Sequence, residues 1–286
     1  MSLPLVAGEL TPISALVWRV LAPNPSLMTG PGTNSYLLAY KDGLMVLDPG
    51  PNHPQHIEAI LQASQQLERP ITHILVTHTH QDHSPGAQGL LQHFPNAQLM
   101  GTTAPNDGLQ DEAWLPDVVL EDGMRMDLGH GHTLTVISSP GHVDNHLCFL
   151  LEEEGILFTG DHLIDGSTVV IAPPSGSMSA YLNSLTKLQD YQITLIAPGH
   201  GNLIQQPQTY IQRTIEHRLK REDKVKSVLT ADLGQSLEEI VKQAYDDTPA
   251  MLHALAQYSL WAHLIKLQED AVAYEDDHKK WWLCSQ

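Results

Sequence analysis

Along the first two hundred positions, apolar residues come in short runs that stop at turns. Residues 44–48 (Leu-Met-Val-Leu-Asp), 71–77 (Ile-Thr-His-Ile-Leu-Val-Thr), 133–137, 155–159 and 193–197 each end within a few positions of Gly, Pro, Asp or His. Turn-bounded runs of this length, rich in leucine and β-branched residues, predict strands. Residues 54–67 and 178–189 carry helical patterns between them. Strands and helices mixed over this span predict a layered α/β or α+β domain.

The pattern changes after Gln206 and Pro207. Residues 208–229 are polar and charged with no turn signal, which predicts a long helix. Ser236 and Glu239 have the spacing of a capping box, opening a helix that runs to about Asp246. Thr248 followed by Pro249 reads as an N-cap with proline at the first helical position. Leu252, Leu255, Ala256, Leu260, Leu264 and Leu267 then mark one apolar helix face, read as core packing. Residues 271–274 and 279–283 flank a polar turn and predict a terminal hairpin pinned by Trp281 and Trp282. Three helices and a hairpin are the element order of a winged-helix unit, so the chain is expected to divide into residues 1–206 and 207–286.

Composition narrows the class. The 286 residues carry 15 Lys+Arg against 33 Asp+Glu, a formal net charge of −18, and the 17 histidines outnumber the basic residues. The tail holds 10 basic and 13 acidic residues, while residues 1–206 hold 5 and 20, a balance of −15. Phosphate binding runs on Lys and Arg, so an extended nucleic-acid face on the larger domain is not expected. Two cysteines, Cys148 and Cys284, exclude a disulfide scaffold and a cysteine-built zinc site; read as reduced thiols, they fit a cytoplasmic compartment. The N-terminus shows no positive region ahead of an apolar stretch, which reads as no signal peptide. No apolar run approaches the ~18 residues that a membrane span needs.

The chemistry gathers where strands end. Residues 74–77 run directly into His78, His80, Asp82 and His83, four ligand-capable side chains within six positions. A divalent cation needs several N and O donors converging on one point, and a loop at a strand end can aim alternate side chains there. His142, Asp161 and His200 each follow a glycine just beyond another predicted strand, where the backbone can turn sharply.

In this ordered set the sequence resembles the metallo-β-lactamase superfamily. The resemblance implies a four-layer αββα sandwich of α+β class, with the metal cleft at one sheet edge. It implies His78, His80 and His142 on one metal, Asp82, His83 and His200 on a second, and Asp161 bridging both. Asp48 resembles the family's supporting acid, which does not touch metal. Three neutral imidazoles leave a four-coordinate zinc one open position, as catalytic sites do. Two metals about 3.5–4 Å apart can share a hydroxide and polarise the oxygen it attacks. The histidine at position 80 favours two Zn2+ ions by ligand softness.

The match extends through residues 32–36 (Gly-Thr-Asn-Ser-Tyr), the loop 161–170 and the tail from His217 to Trp282, which together resemble the group of β-lactamase-like proteins carrying a winged-helix tail. Three functions follow as expectations. The first is a binuclear zinc hydrolase attacking a small ester, thioester or lactone-like acyl substrate with a metal-bridging hydroxide. The second is a metal-dependent endoribonuclease of single-stranded RNA, the activity the resemblance associates with animal members. Arg213, Arg218, Lys220, Arg221, Lys224 and Lys226 would then be either a phosphate-contacting strip or a solvated helix face. The third is a metal-binding interaction protein without turnover, docking or forming a homodimer through its tail. Asp82 and His162 are the candidate catalytic groups, His162 as a substrate contact or proton donor to the leaving group. His146 reads as a supporting or packed residue, and Gly166, Ser167, Thr168 and Tyr181 as candidate substrate contacts from position alone.

Overall fold

The computed structural model describes residues 5–129 and 131–284; the segment scanned for a signal peptide lies in part outside the described residues, at 1–4. The chain divides into two compact units. One holds the chain up to Ser139 together with Asn145–Thr168 and Tyr191–Pro207; the other holds Pro140–Asp144, Val169–Asp190 and the chain from Gln208 onward.

In the first unit, β1 (Leu10–Pro12), β2 (Val17–Leu21), β3 (Asn34–Tyr40) and β4 (Gly43–Leu47) are successive antiparallel neighbours. Helix α1 (Pro54–Gln66) leads to β5 (Ile71–Leu75), and the short helix α2 (Gly86–Leu91) leads to β6 (Gln98–Gly101) and β7 (Val118–Val119). These seven strands form one sheet in chain order, parallel from β4 onward. A second sheet contains β8 (Arg125–Gly129), β9 (His132–Ser138), β10 (Leu147–Leu151), β11 (Ile156–Gly160) and β12 (Leu195–Pro198), in the order β12-β11-β10-β9-β8.

Side-chain alternation explains why the predicted runs are strands. Tyr36, Leu38, Met45 and Leu47 face a core shared with Val136, Phe149 and Phe158 of the second sheet. Their neighbours Leu37, Leu44 and Val46 pack on the other face, against Ile57 and Ile60 of α1. A strand buried on both faces reads as a continuous apolar run, as β4 does. The five predicted runs are β4, β5, β9, β11 and β12, with ends shifted by a residue or two.

The second unit contains α3 (Met178–Leu188), α4 (Pro207–Val228), α5 (Leu237–Ala244) and α6 (His253–Glu269), followed by the hairpin β13 (Ala273–Glu275) and β14 (Trp281–Leu283). Both halves of the Ser236–Glu239 capping box are made. Ile240, Val241, Leu260, Leu264 and Val225 enclose Trp281, which is 1% exposed. The start of α6 departs from expectation. Pro249 has ψ 134°, so the chain is still extended there; a 3-10 turn at Ala250–Leu252 precedes the helix proper. Leu252 and Leu255 are consequently only half-buried, and full burial begins at Leu260.

Half of the basic strip on α4 is engaged within its own unit. Arg218 donates to the Val169 carbonyl and lies over the Tyr181 ring, 5.2 Å from its centroid. Arg221 donates to the Ala244 carbonyl and, bidentately, to Asp247, over the Tyr245 ring. Lys224 pairs with Asp246 and Asp247.

Candidate metal centre

Asp48, immediately after β4, adopts φ 50°, a left-handed conformation that a short polar side chain tolerates. Its carboxylate accepts the Thr77 N–H at Oδ1 (2.7 Å), and the Thr77 hydroxyl (2.8 Å) and His83 Nδ1 (2.9 Å) at Oδ2. Since Thr77 Oγ1 donates to Asp48, its 3.0 Å contact with His78 Nδ1 makes His78 the donor there. His200 Nδ1 lies 3.2 Å from the Gly32 carbonyl, which can only accept. All three rings therefore carry the proton on Nδ1 and present Nε2 to the site, the arrangement in which an outer partner fixes a metal-binding imidazole. Asp48, which the resemblance implied as a supporting acid, here accepts the His83 Nδ1 proton.

Four atoms then close a small polygon. His83 Nε2 lies 3.5 Å from Asp82 Oδ2 and 3.4 Å from Asp161 Oδ1; His200 Nε2 lies 3.3 Å and 3.2 Å from the same two oxygens. His83 Nε2 is buried and makes no hydrogen bond among the described residues. Ligands about 2.0–2.1 Å from a tetrahedral zinc stand about 3.3 Å apart along each edge. The observed spacings suit that geometry better than the 2.7–3.2 Å of a good N–H···O bond. Beside this polygon, His78 Nε2 and His80 Nδ1 approach to 2.9 Å. The ligand atoms of His78, His83 and Asp161 lie within 4.8 Å of one another, as do those of Asp82, His83 and His200. The donor set thus fits divalent cations.

The electrostatics agree. Burial would lower the His83 and His200 pKa values, but Asp82 and Asp161 outweigh it at His83, raising it well above normal, and Asp161 does so at His200, raising it to about 10. Burial would raise both aspartates, but His83 and His200 hold Asp161 well below the usual range, and His83 holds Asp82 at about 2. His78 is lowered well below normal by burial, with the neighbouring His83, His80 and His146 rings adding to it. Two carboxylates forced against two imidazoles form a cluster that holds protons or metal, and metal binding releases those protons.

Two clamps set the polygon. Asn34, at the start of β3, donates through Nδ2 to the carbonyls of Pro198 (2.9 Å) and Gly201 (3.0 Å), straddling His200, and Tyr36 donates to the Pro198 carbonyl. Thr33 Oγ1 donates to Asp82 Oδ2 at 3.0 Å. These residues belong to the 32–36 motif, whose position in the sequence gave no hint of contact with ligands. His142, expected with His78 and His80, lies in the Pro140–Asp144 segment of the second unit, where its Nδ1 donates to the Val170 carbonyl at 2.7 Å. His162 is fully buried, its ring 5.8 Å from that of His146. Tyr181 is buried under Arg218.

This fold and donor set define a metallo-hydrolase class, and comparison with known proteins agrees. Residues 28–200 match the Metallo-beta-lactamase superfamily, and residues 236–281 match the Beta-lactamase associated winged helix domain. The chain belongs to the metallo-β-lactamase superfamily and is a hydrolase of α+β class with a winged-helix domain. It is similar to a "Beta-lactamase-like protein 2 homolog" from Caenorhabditis elegans, with 30% identity over 93% of this chain and 88% of that protein. It is also similar to an "Atrochrysone carboxyl ACP thioesterase" from Aspergillus chevalieri, with 31% identity over 95% and 88%. Among solved structures, a Beta-lactamase domain protein from Burkholderia ambifaria shares the fold, with a TM-score of 0.84 and 20% identity over 99% of this chain and 95% of that one. Among the described residues, no helix is long and apolar enough to cross a membrane.

Proposed function

We propose that the chain is a binuclear zinc hydrolase of small ester, thioester or lactone-like acyl substrates, working in the cytoplasm. The observation that carries this reading is the polygon of His83, His200, Asp82 and Asp161, whose edges suit a cation better than hydrogen bonds. In this assignment His78 and His80 would hold one metal, with His142 added on motif order, Asp82, His83 and His200 would hold the other, and Asp161 would serve both. Two zinc ions, when bound, would supply a positive field that polarises a substrate carbonyl and acidifies water.

The chain's own groups do the rest. Asp48, Thr77 and Gly32 fix the Nε2 atoms of His83, His78 and His200 by accepting their Nδ1 protons. Asp82 is the polygon member most open to solvent, with 27% of its side chain exposed against 12% for Asp161, so we assign it proton transfer with the attacking water. The loop between β2 and β3, whose base carries Thr33, exposes Leu27 and Met28, 73% and 51% accessible. Apolar side chains exposed on the loop that ends at Thr33 suit an acyl chain. The relative named as an acyl carrier protein thioesterase supports the same substrate class. Three of the six strip cations are already engaged, which weakens the support for polyanion binding.

The test is metal content followed by turnover. Zinc-loaded protein should hydrolyse members of a thioester and ester panel, lose that activity with chelator and with Asp161→Ala, and leave labelled single-stranded RNA intact. RNA cleavage sensitive to both treatments, with an inert acyl panel, would transfer the assignment to the endoribonuclease reading. Two bound metals with no turnover on either panel would leave the interaction protein.

A further inference from the structure

His146 lies beside the metal ligands and is not among them. It is completely buried, one residue before β10 begins. Strands β10 and β11 pair antiparallel, with Phe149 opposite Phe158 and Leu151 opposite Ile156. That pairing ends at Phe149 and Phe158, and β11 is irregular between Phe158 and Gly160. The His146 carbonyl is turned the other way, to β9, where it accepts the Ser139 N–H at 3.0 Å. No carbonyl is therefore available from residue 146 for the Asp161 N–H, and the imidazole replaces it: Asp161 N–H donates to His146 Nε2 at 3.2 Å.

That bond fixes the ring's state. A backbone N–H can only donate, so Nε2 carries the lone pair and the ring is neutral, with its proton on Nδ1. Nδ1 lies 2.8 Å from Ser139 Oγ, which then donates onward to Cys148 Sγ at 3.2 Å. The relay runs one way, from ring to hydroxyl to sulfur. On its flat side the same imidazole stacks on His78, with ring centroids 5.0 Å apart and planes at 29°. Gly160 makes room for this. A Cβ there would sit 2.3 Å from Thr77 Oγ1 and 3.0 Å from His146 Nε2, and its φ of +44° disfavours a side chain.

We propose that His146 is a positioning residue of the metal centre: its neutral Nδ1–H tautomer accepts the Asp161 N–H just beyond the β10–β11 ladder, and so sets Asp161 against the His78 ring. This rests on the binuclear reading above. A backbone carbonyl could hold Asp161 but could not also bear on His78; the imidazole does both, which couples the spacing of the two ligands.

The test uses the full chain, stripped of metal and titrated with Zn2+ against a chromophoric chelator, with Co2+ substitution read by its visible absorption. His146→Leu keeps the bulk and removes the acceptor; His146→Gln restores an acceptor on a side chain of similar reach. We expect His146→Leu to weaken the affinity for one metal equivalent by about 10–100-fold and to change the Co2+ spectrum. His146→Gln should recover most of the affinity, and Ser139→Ala, which unlocks the tautomer, should shift both readouts in the direction of His146→Leu. If His146→Leu folds poorly by circular dichroism, Ser139→Ala and His146→Gln decide the matter. Wild-type affinity and spectrum in His146→Leu, or in Ser139→Ala where that variant stands alone, would overturn the proposal. A wild-type protein that binds no metal would overturn the binuclear reading itself, which is a separate and distinguishable failure.

Discussion

Gly141→Ala concentrates the geometry of the second unit into one methyl group. Gly141 has φ +142°, and a Cβ built on it would lie 2.3 Å from Tyr181 Cα and 2.5 Å from Tyr181 N and Cβ. Carbon atoms in good contact stand about 3.5 Å apart, so the loop or the helix must give by about 1 Å. Helix α3 is poorly placed to yield. Ser177 caps it, its own N–H donates to the Gly141 carbonyl, and Tyr181 is buried under Arg218. The movement therefore falls on residues 140–144, where the Pro140 carbonyl accepts Ser184 Oγ at 2.8 Å and His142 Nδ1 donates to Val170. A misplacement of about 1 Å in a positioned group costs on the order of 100-fold in rate, about 2.7 kcal/mol. Gly123→Ala is the control, because Gly123 has φ +78° with nothing within 4 Å of a built Cβ. It carries only the backbone penalty of about 1–2 kcal/mol. The assay is zinc content, thermal melting, and kcat/KM on the best thioester. Both variants should melt below wild type, but only Gly141→Ala should lose bound zinc and about two orders of magnitude in kcat/KM. Equal activity in Gly141→Ala and Gly123→Ala would refute the steric argument.

Four other outcomes are expected. Burial would raise the Glu222 carboxyl, but bonds from His263 and Lys266 outweigh it and hold its pKa below the usual value. Its contribution to stability is then complete above the unfolded pKa and is lost as pH falls through the folded one. Glu222→Gln should cost about 1.5–3 kcal/mol at neutral pH and flatten the acid limb of a melting series. Trp281 is 1% exposed and its Nε1 makes no hydrogen bond among the described residues, so Trp281→Ala opens a pure cavity worth about 3–5 kcal/mol, measurable by denaturant unfolding. Replacing Leu27 and Met28 with Ser should raise KM for long-chain thioesters about tenfold, on the scale of one buried apolar side chain, and leave acetyl thioesters unchanged. His162 is fully buried, so His162→Gln should lower the melting temperature more than kcat; a shifted acidic limb of the kcat–pH profile would restore it as proton donor.

Strand-end chemistry was readable because its residues follow apolar runs buried on both faces, as His78 follows β5 and Asp161 follows β11. Strands whose pattern is diluted were not. β8 carries Arg125 and Asp127 on an exposed side, β6 is four residues long, and β3 begins with the polar Asn34 and Ser35, which are buried because they bond rather than because they are apolar. The α4 cations looked solvated because charge spacing says nothing about an aromatic face arriving from elsewhere. Arg218 and Arg221 meet Tyr181 and Tyr245, which are distant in sequence. His146 had no local signal at all. Its role depends on a backbone N–H fifteen residues further along, at Asp161, meeting its ring, and on a carbonyl turned away to Ser139.

The Asn34 clamp has a consequence in time. Its amide joins the opening sheet to carbonyls 164 and 167 residues further along the chain, and Thr33 reaches Asp82 from the same corner. Contacts of such long separation form late, after the entropy of closing a large loop has been met. The four histidine and aspartate atoms of the polygon can come together only when β3 and the loop after β12 have met. During synthesis the N-terminal ligands emerge long before His200 exists, and no half-made chain can offer the complete cage. If the cluster binds ions as proposed, their capture would report a finished fold: a chain that retained metal through gel filtration would have brought β3 and the loop after β12 together.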